Sequence, residues 1–273
     1  MRHTHLASHI LYLAAATLLL AACAQPTTYS PSYTQAELAE EQKYQEAASK
    51  ENPFEKIEGE VEVTSEMLAR MERIEAKVVP QSEILCKELF GNTRPCEFTT
   101  EVSAEAKGIN AFADGKRVVM GPTMMEFAKD DTQVAFVLSH ELAHNIMKHP
   151  DAGMKNTMGG LILGSVIDAA VGGTDGTFGK LGAQAGRLQY SPDFETEADY
   201  TGLYILARAG YPIEKAPEFW RAMSQYDPQG IYARSTHPTN AERFVVMRKT
   251  INEIRSKQQL GMPLVPEFIP AGE

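Results

Sequence analysis

The chain has 273 residues, 43% of them apolar, and a formal net charge of −10. That is enough apolar material for one substantial core. The acidic balance and the lack of a basic stripe exclude nucleic acid as a partner, because phosphate binding needs clustered Lys and Arg that release counterions.

The first residues read as an export signal. Arg2, His3 and His5 make a weakly positive start, and the apolar run from Ile10 to Ala22 is too short to span a bilayer comfortably. The run ends Leu20-Ala21-Ala22-Cys23, which resembles the lipobox of bacterial lipoproteins. Residues 1–22 are then a signal peptide, and lipidated Cys23 anchors the mature chain in the cell envelope. Ala24 after the cysteine suggests the outer membrane, facing the periplasm. Ordinary cleavage after Ala22-Cys23-Ala24 is the alternative. Residues 23–53, rich in Gln, Pro, Thr, Ser, Tyr and Glu, cannot bury enough apolar area to offset ordering and read as a flexible tether. The main domain covers 54–260, followed by a tail over 261–273.

Within the domain, Met67, Met71, Ile74 and Val78 recur at helical spacing and predict an amphipathic helix that Pro80 interrupts. Cys86 and Cys96, with Gly91, Asn92 and Pro95 between them, are expected to form a disulfide in an oxidising compartment; two buried thiols are the alternative. Residues 97–102 and 109–120 look extended, with Asp114-Gly115 as a hairpin signal. Asp130 and Gln133 form a capping-box pattern, and Val134, Val137, Leu138, Leu142 and Ile146 sustain a central helix as far as His149-Pro150. The Gly- and Ala-rich stretch 159–173 reads as a buried or substrate-adjacent helix, with a flexible lid as the alternative. Ser191-Pro192 opens a further helix that ends near Gly210 and Pro212, and two more helices cover 217–226 and 241–257. Arg243, Arg248, Lys249, Arg255 and Lys257 of the last one read as a solvated face. The fold class is α+β, mainly helical with one small sheet.

The strongest chemical signal is His140-Glu141-Leu142-Ala143-His144. Two histidines four apart on a helix lie about 40° apart around its axis and can aim one nitrogen each at a single zinc ion. Glu141 on the same turn can take a proton from metal-bound water without being a ligand. Of the histidines beyond the export signal, half are in this motif, the others being His149 and His237. His149 is rotated off the metal face and reads as a helix-end charge or core contact. A catalytic site needs a third protein ligand and an open position. Glu195 and Asp199 share one helix face, so Glu195 is the candidate ligand. Asp199 can then accept the free N–H of a ligand histidine, fixing its tautomer.

These residues resemble the gluzincin peptidases of family M48, which include HtpX, the OMA-type mitochondrial proteases and the CAAX-prenyl proteases. The resemblance covers roughly 110–243. It implies a zincin-type domain with the sheet beside the zinc helix, one zinc ion on His140, His144 and Glu195, and Glu141 as base. It also implies that Asn110-Ala111-Phe112 is a strand beside the cleft on which an extended substrate pairs. His237-Pro238 followed by Arg243 is similar to a later family segment whose His approaches the zinc, so His237 is given an accessory role. One departure is Ser191-Pro192, where family members commonly have Ser-Arg. The chain is most similar in organisation to the LoiP-like envelope lipoprotein proteases. The expected function is therefore a zinc endopeptidase acting on polypeptide substrates, namely unfolded or misassembled envelope proteins. The rivals are an envelope chaperone that holds zinc but seldom cuts, and a structural lipoprotein without zinc.

Overall fold

The computed structural model describes residues 31–48, 57, 59–170, 176–177, 180, 192–226, 237 and 240–267. The export signal, Cys23, the start of the tether and the last residues of the tail lie outside them. The larger of two compact units is formed by Pro26–Lys148 and Ser191–Glu273, and the smaller contains His149–Tyr190.

The larger unit begins with α1 (Gln35–Ala48), a helix where a flexible tether was expected. Its propensity-rich Ala/Glu/Gln sequence has almost no apolar stripe, which is why composition alone pointed to disorder. What holds it is charge. Glu41 is 4% exposed, 2.9 Å from Arg221 and 3.2 Å from Arg248, while Arg221 also lies over the Tyr44 ring. Thr34 and Glu37 form a reciprocal cap at its start.

α2 (Ser65–Phe90) starts at Thr64, whose hydroxyl accepts from the Met67 N–H, and runs through Pro80 without ending. The predicted interruption does not occur. Pro80 removes one N–H donor, but Met71, Ile74 and Val78 before it and Leu85 and Cys86 after it are all buried on the same core, and that burial outweighs the lost bond. Cys86 and Cys96 are paired, their Cα atoms 5.6 Å apart.

The sheet comprises β1 (Thr99–Val102), β2 (Ala111–Ala113) and β3 (Arg117–Met120) in the order β1-β3-β2. β1 is parallel to β3, and β2 is antiparallel to it with Ala111 opposite Met120. The hairpin turns at Asp114-Gly115 as expected, with Gly115 at φ +101°. Among the described strands, β2 stands at one edge of the sheet. After the short helix α3 (Pro122–Phe127), the central helix α4 (Asp131–Met147) is capped by Asp130, which accepts from the Gln133 N–H at 3.0 Å. α4 is buried on nearly every side, and it ends where Lys148 takes the left-handed conformation at φ 60°, just before the expected His149-Pro150.

α6 (Pro192–Arg208) packs along α4 more extensively than any other pair of elements does. Gly202 makes this closeness possible: a Cβ there would lie 3.1 Å from the His140 backbone. A 3₁₀ turn (Ile213–Lys215), α7 (Ala216–Tyr226) and α8 (Ala241–Gln259) complete the unit. Lys257 of α8, read from sequence as solvated, is 8% exposed and donates to the Tyr204 hydroxyl and the Val265 carbonyl.

The smaller unit contains α5 (His149–Ala170). For 159–173 the expectation was a buried or substrate-adjacent helix; the stretch is helical through Ala170 but not buried, with Leu161, Ile162, Val166 and Ile167 each between 41% and 50% exposed. The rest of the Gly-rich stretch lies outside the described residues. Among those described, no helix is long and apolar enough to cross a membrane.

Candidate active site

α4 and α6 supply the centre of the site. His140 and His144 project from α4 with their Nε2 atoms 3.1 Å apart. Glu195, in the first turn of α6, places its carboxylate oxygens 3.4 Å from each of those nitrogens. The third contributor is His237, whose Nδ1 lies 3.3 Å from His140 Nε2 and 3.1 Å from both Glu195 oxygens. All four side chains are buried, and one ligand atom from each falls within 4.8 Å of the others.

That spacing fits a metal ion. Donors held about 2.0–2.2 Å from a tetrahedral centre stand roughly 3.3–3.6 Å from one another, and the separations given above run from 3.1 to 3.4 Å. Charge points the same way. Among the described residues, Glu141, Glu195 and Asp199 share one guanidinium, that of Arg243, so with neutral imidazoles negative charge is in excess in this group. A divalent cation balances it. The histidines register the same excess: burial alone would lower the His140 pKa, yet Asp199 and Glu195 raise it to about 9, and Glu195 and Glu141 likewise raise that of His237 against its burial.

The remaining residues orient these donors. Asp199, one turn after Glu195, lies 2.9 Å from His140 Nδ1, which leaves the Nε2 lone pair facing the cluster. Arg243 is fully buried, 2.6 and 2.9 Å from the two Asp199 oxygens and 3.0 Å from Glu195 Oε2. Burial would raise both carboxyl pKa values, but Arg243 is a leading cause of their being lowered instead. Trp220 of α7 donates its indole N–H to Asp199 at 3.2 Å, stacks edge-on against His140 with centroids 5.3 Å apart, and carries the Arg243 guanidinium on its face at 4.4 Å.

Glu141 stands beside the cluster, not in it. Its Oε1 is 3.3 Å from His237 Nε2, and its Oε2 is buried without a hydrogen-bond partner. Burial raises its pKa. A carboxylate oxygen kept from water and unpaired beside a metal-binding group is suited to holding a reacting water or a proton.

Of the other residues read from the sequence, Asn110 leads into edge strand β2 and its carbonyl accepts from the Gly121 N–H, while Ala111 is the first residue of that strand. The hairpin is fastened to the zinc-motif helix by Asn145, whose side chain accepts from Gly115 N–H and donates to the Arg117 carbonyl. His149 is buried and outside the four-residue group. Arg243 corrects a sequence reading: placed on a solvated face, it is instead the most enclosed charge in the site, because two buried carboxylates compensate it. Its distance of six residues from His237, at the third position of a helix capped by Asn240, was the available signal. Trp220 was not singled out, although it is the chain's one tryptophan.

Comparison with known proteins agrees with this geometry. The mitochondrial metalloendopeptidase OMA1 of Arabidopsis thaliana is 34% identical over 139 residues, covering 50% of this chain and 28% of its own length. OMA1 of Saccharomyces cerevisiae is 30% identical, with 53% and 45% covered, and the beta-barrel assembly-enhancing protease of Escherichia coli K12 is 26% identical, with 54% and 33% covered. The chain thus spans between 28% and 45% of the length of these relatives. The model of peptidase family M48 matches residues 70–251, most of the chain, and every residue of the cluster lies inside that range. The chain belongs to peptidase family M48.

Proposed function

We propose that the chain is a zinc-dependent endopeptidase of the bacterial cell envelope that hydrolyses unfolded or misassembled envelope proteins. The observation that carries this reading is the buried group of His140, His144, Glu195 and His237 with the buried Glu141 carboxylate beside it, its Oε2 without a hydrogen-bond partner. His140, His144 and Glu195 would hold one zinc ion. When bound, zinc supplies Lewis-acid polarisation of the scissile carbonyl and a more acidic water. Glu141 takes the proton of the attacking water and returns it to the leaving amine. Asp199 keeps the His140 ring in one tautomer, and Arg243 holds Glu195 and Asp199 at fixed distances. Edge strand β2, with Asn110 and Ala111 at its start, pairs with the extended substrate.

His237 has an accessory role. Its contacts with His140 and Glu195 support a resting state in which it occupies the open position. His237→Ala then raises activity; a fall assigns it instead to stabilising the oxyanion.

The export signal and lipobox support a chain lipidated at Cys23 and anchored in the outer membrane on its periplasmic side. The Cys86–Cys96 pair is a disulfide suited to that oxidising compartment. The beta-barrel assembly-enhancing proteases among the relatives support substrates from envelope assembly.

The test is degradation of casein with added zinc by the chain lacking residues 1–23. Wild type cuts, and Glu141→Gln loses about 10²- to 10⁴-fold while retaining zinc. Glu195→Gln weakens zinc retention; full retention rejects Glu195 as a ligand. A chaperone that holds zinc with little proteolysis is the second reading, favoured by His237 at the fourth position, and it predicts that Glu141→Gln leaves substrate protection intact.

A further inference from the structure

Outside the metal centre, the larger unit contains a groove of about 720 Å³. One wall is the segment 59–63, the other is 107–110, which leads directly into edge strand β2. Met223 and Tyr226 of α7 also line it. They follow Trp220, which stacks on His140, by three and six residues on the same helix, or roughly 5 and 9 Å along its axis. The groove thus shares α7 and the lead-in to β2 with the surroundings of the site.

The segment forming the first wall is unusual. Glu60-Val61-Glu62-Val63-Thr64 alternates acidic with β-branched residues, the period-two pattern of a strand. It forms no strand. The run has neither helix nor turn, and no hydrogen bond involves the backbone N–H or C=O groups of 60–63, although flanking Ile57 donates to the Tyr226 hydroxyl and Thr64 caps α2. Strand-forming backbone with its polar groups unpaired, at the lip of a groove, is a template for an added strand.

We propose that this groove binds the extended polypeptide substrate on one side of the scissile bond, with 60–63 pairing to it as a β-strand. The inference rests on the peptidase reading and adds to it a second, chain-specific recognition element. Val61, Ile109 and Met223 offer apolar contact to alternate substrate side chains, whereas Glu60 and Glu62 face only Lys107 as a countercharge among the lining residues. Apolar or basic extensions are favoured and acidic ones disfavoured.

The experiment compares a quenched fluorogenic peptide, taken from the casein region the chain cuts, with versions extended by four apolar residues at either end. The readout is the ratio of kcat/KM for extended over short peptide, so a general loss of activity in any variant cancels. Wild type gains about tenfold from extension at one end only, equivalent to about 1.4 kcal/mol. Val61→Pro, which removes one N–H from the pairing edge, reduces that gain to below about threefold, and Glu60→Lys with Glu62→Lys reverses the bias against acidic extensions. The proposal is overturned if Val61→Pro keeps the full gain, or if wild type gains nothing at either end. If no peptide is cut at all, the peptidase reading fails, and fluorescence anisotropy with labelled extended peptide on zinc-loaded Glu141→Gln decides the groove by itself. Weaker binding in Val61→Pro supports it, and equal binding overturns it.

Discussion

Two of the carboxylates paired with arginine in this protein, Glu41 and Glu195, differ in what surrounds them. Glu41 of α1 sits between Arg221 and Arg248, whose side chains are 28% and 51% exposed. Glu195 of α6 sits against Arg243, and both are fully buried. Solvent reaching the two arginines of the first clamp screens the attraction and hydrates them when Glu41 is lost. At the second there is no water to do so, and the stakes of losing one partner are much larger. The first clamp docks a helix; the second holds the Glu195 carboxylate beside His140 and His144.

The largest expected effect comes from breaking the buried clamp. Arg243→Met leaves Glu195 and Asp199 with only the neighbouring histidines as countercharge, costs about 3–5 kcal/mol in urea unfolding of the metal-free chain, and lowers zinc affinity. If the metal-free variant unfolds with wild-type stability, the clamp has been misjudged. Next in size is Gly202→Val, which drives branched methyls into the His140 backbone, separates α4 from α6, and costs about 1–3 kcal/mol. Its zinc affinity, measured by competition with a chelator, falls with it, because His140 and Glu195 come from the two helices being separated. Glu41→Gln is the smallest change: about 1 kcal/mol or less, shrinking further in high salt, and with zinc affinity unchanged.

Acid titration sharpens the same contrast. Folded Glu195 and Asp199 have pKa values below their ordinary 4.5 and 3.8, since Arg243 and the histidines outweigh the burial that would raise them. Depressed carboxylate pKa values contribute stability that is fully present above the ordinary values and disappears as pH falls through the folded ones. The metal-free wild type therefore acid-unfolds at lower pH than Arg243→Met, as followed by near-ultraviolet circular dichroism. Coincident midpoints would mean that the Arg243 pairing contributes nothing across that window.

The metal-binding motif was legible because helical geometry is local. Residues four apart share a face, so His140 with His144 and Glu195 with Asp199 could be assigned before any fold was known. The α+β class, the Asp114-Gly115 hairpin and the Asp130 cap were legible for the same reason. Where local propensity competed with long-range packing, the sequence reading lost. Pro80 sits inside α2 because the buried residues on both sides hold it there, and 35–48 is a helix because Glu41 finds arginines 180 and 207 residues away.

By itself, then, the sequence determined which groups stand together locally: two imidazoles with a carboxylate between them, and an acidic helix face, each set by spacing within one turn or two. Only the tertiary structure decided that Glu195 meets His140 and His144, that Arg243 and Trp220 belong to the site, and that Gly202 brings α4 and α6 together. These are contacts between segments 21 to 62 residues apart, and no periodicity along the chain encodes them. They exist because burying four helices on one core leaves a cluster of charges no alternative but one another.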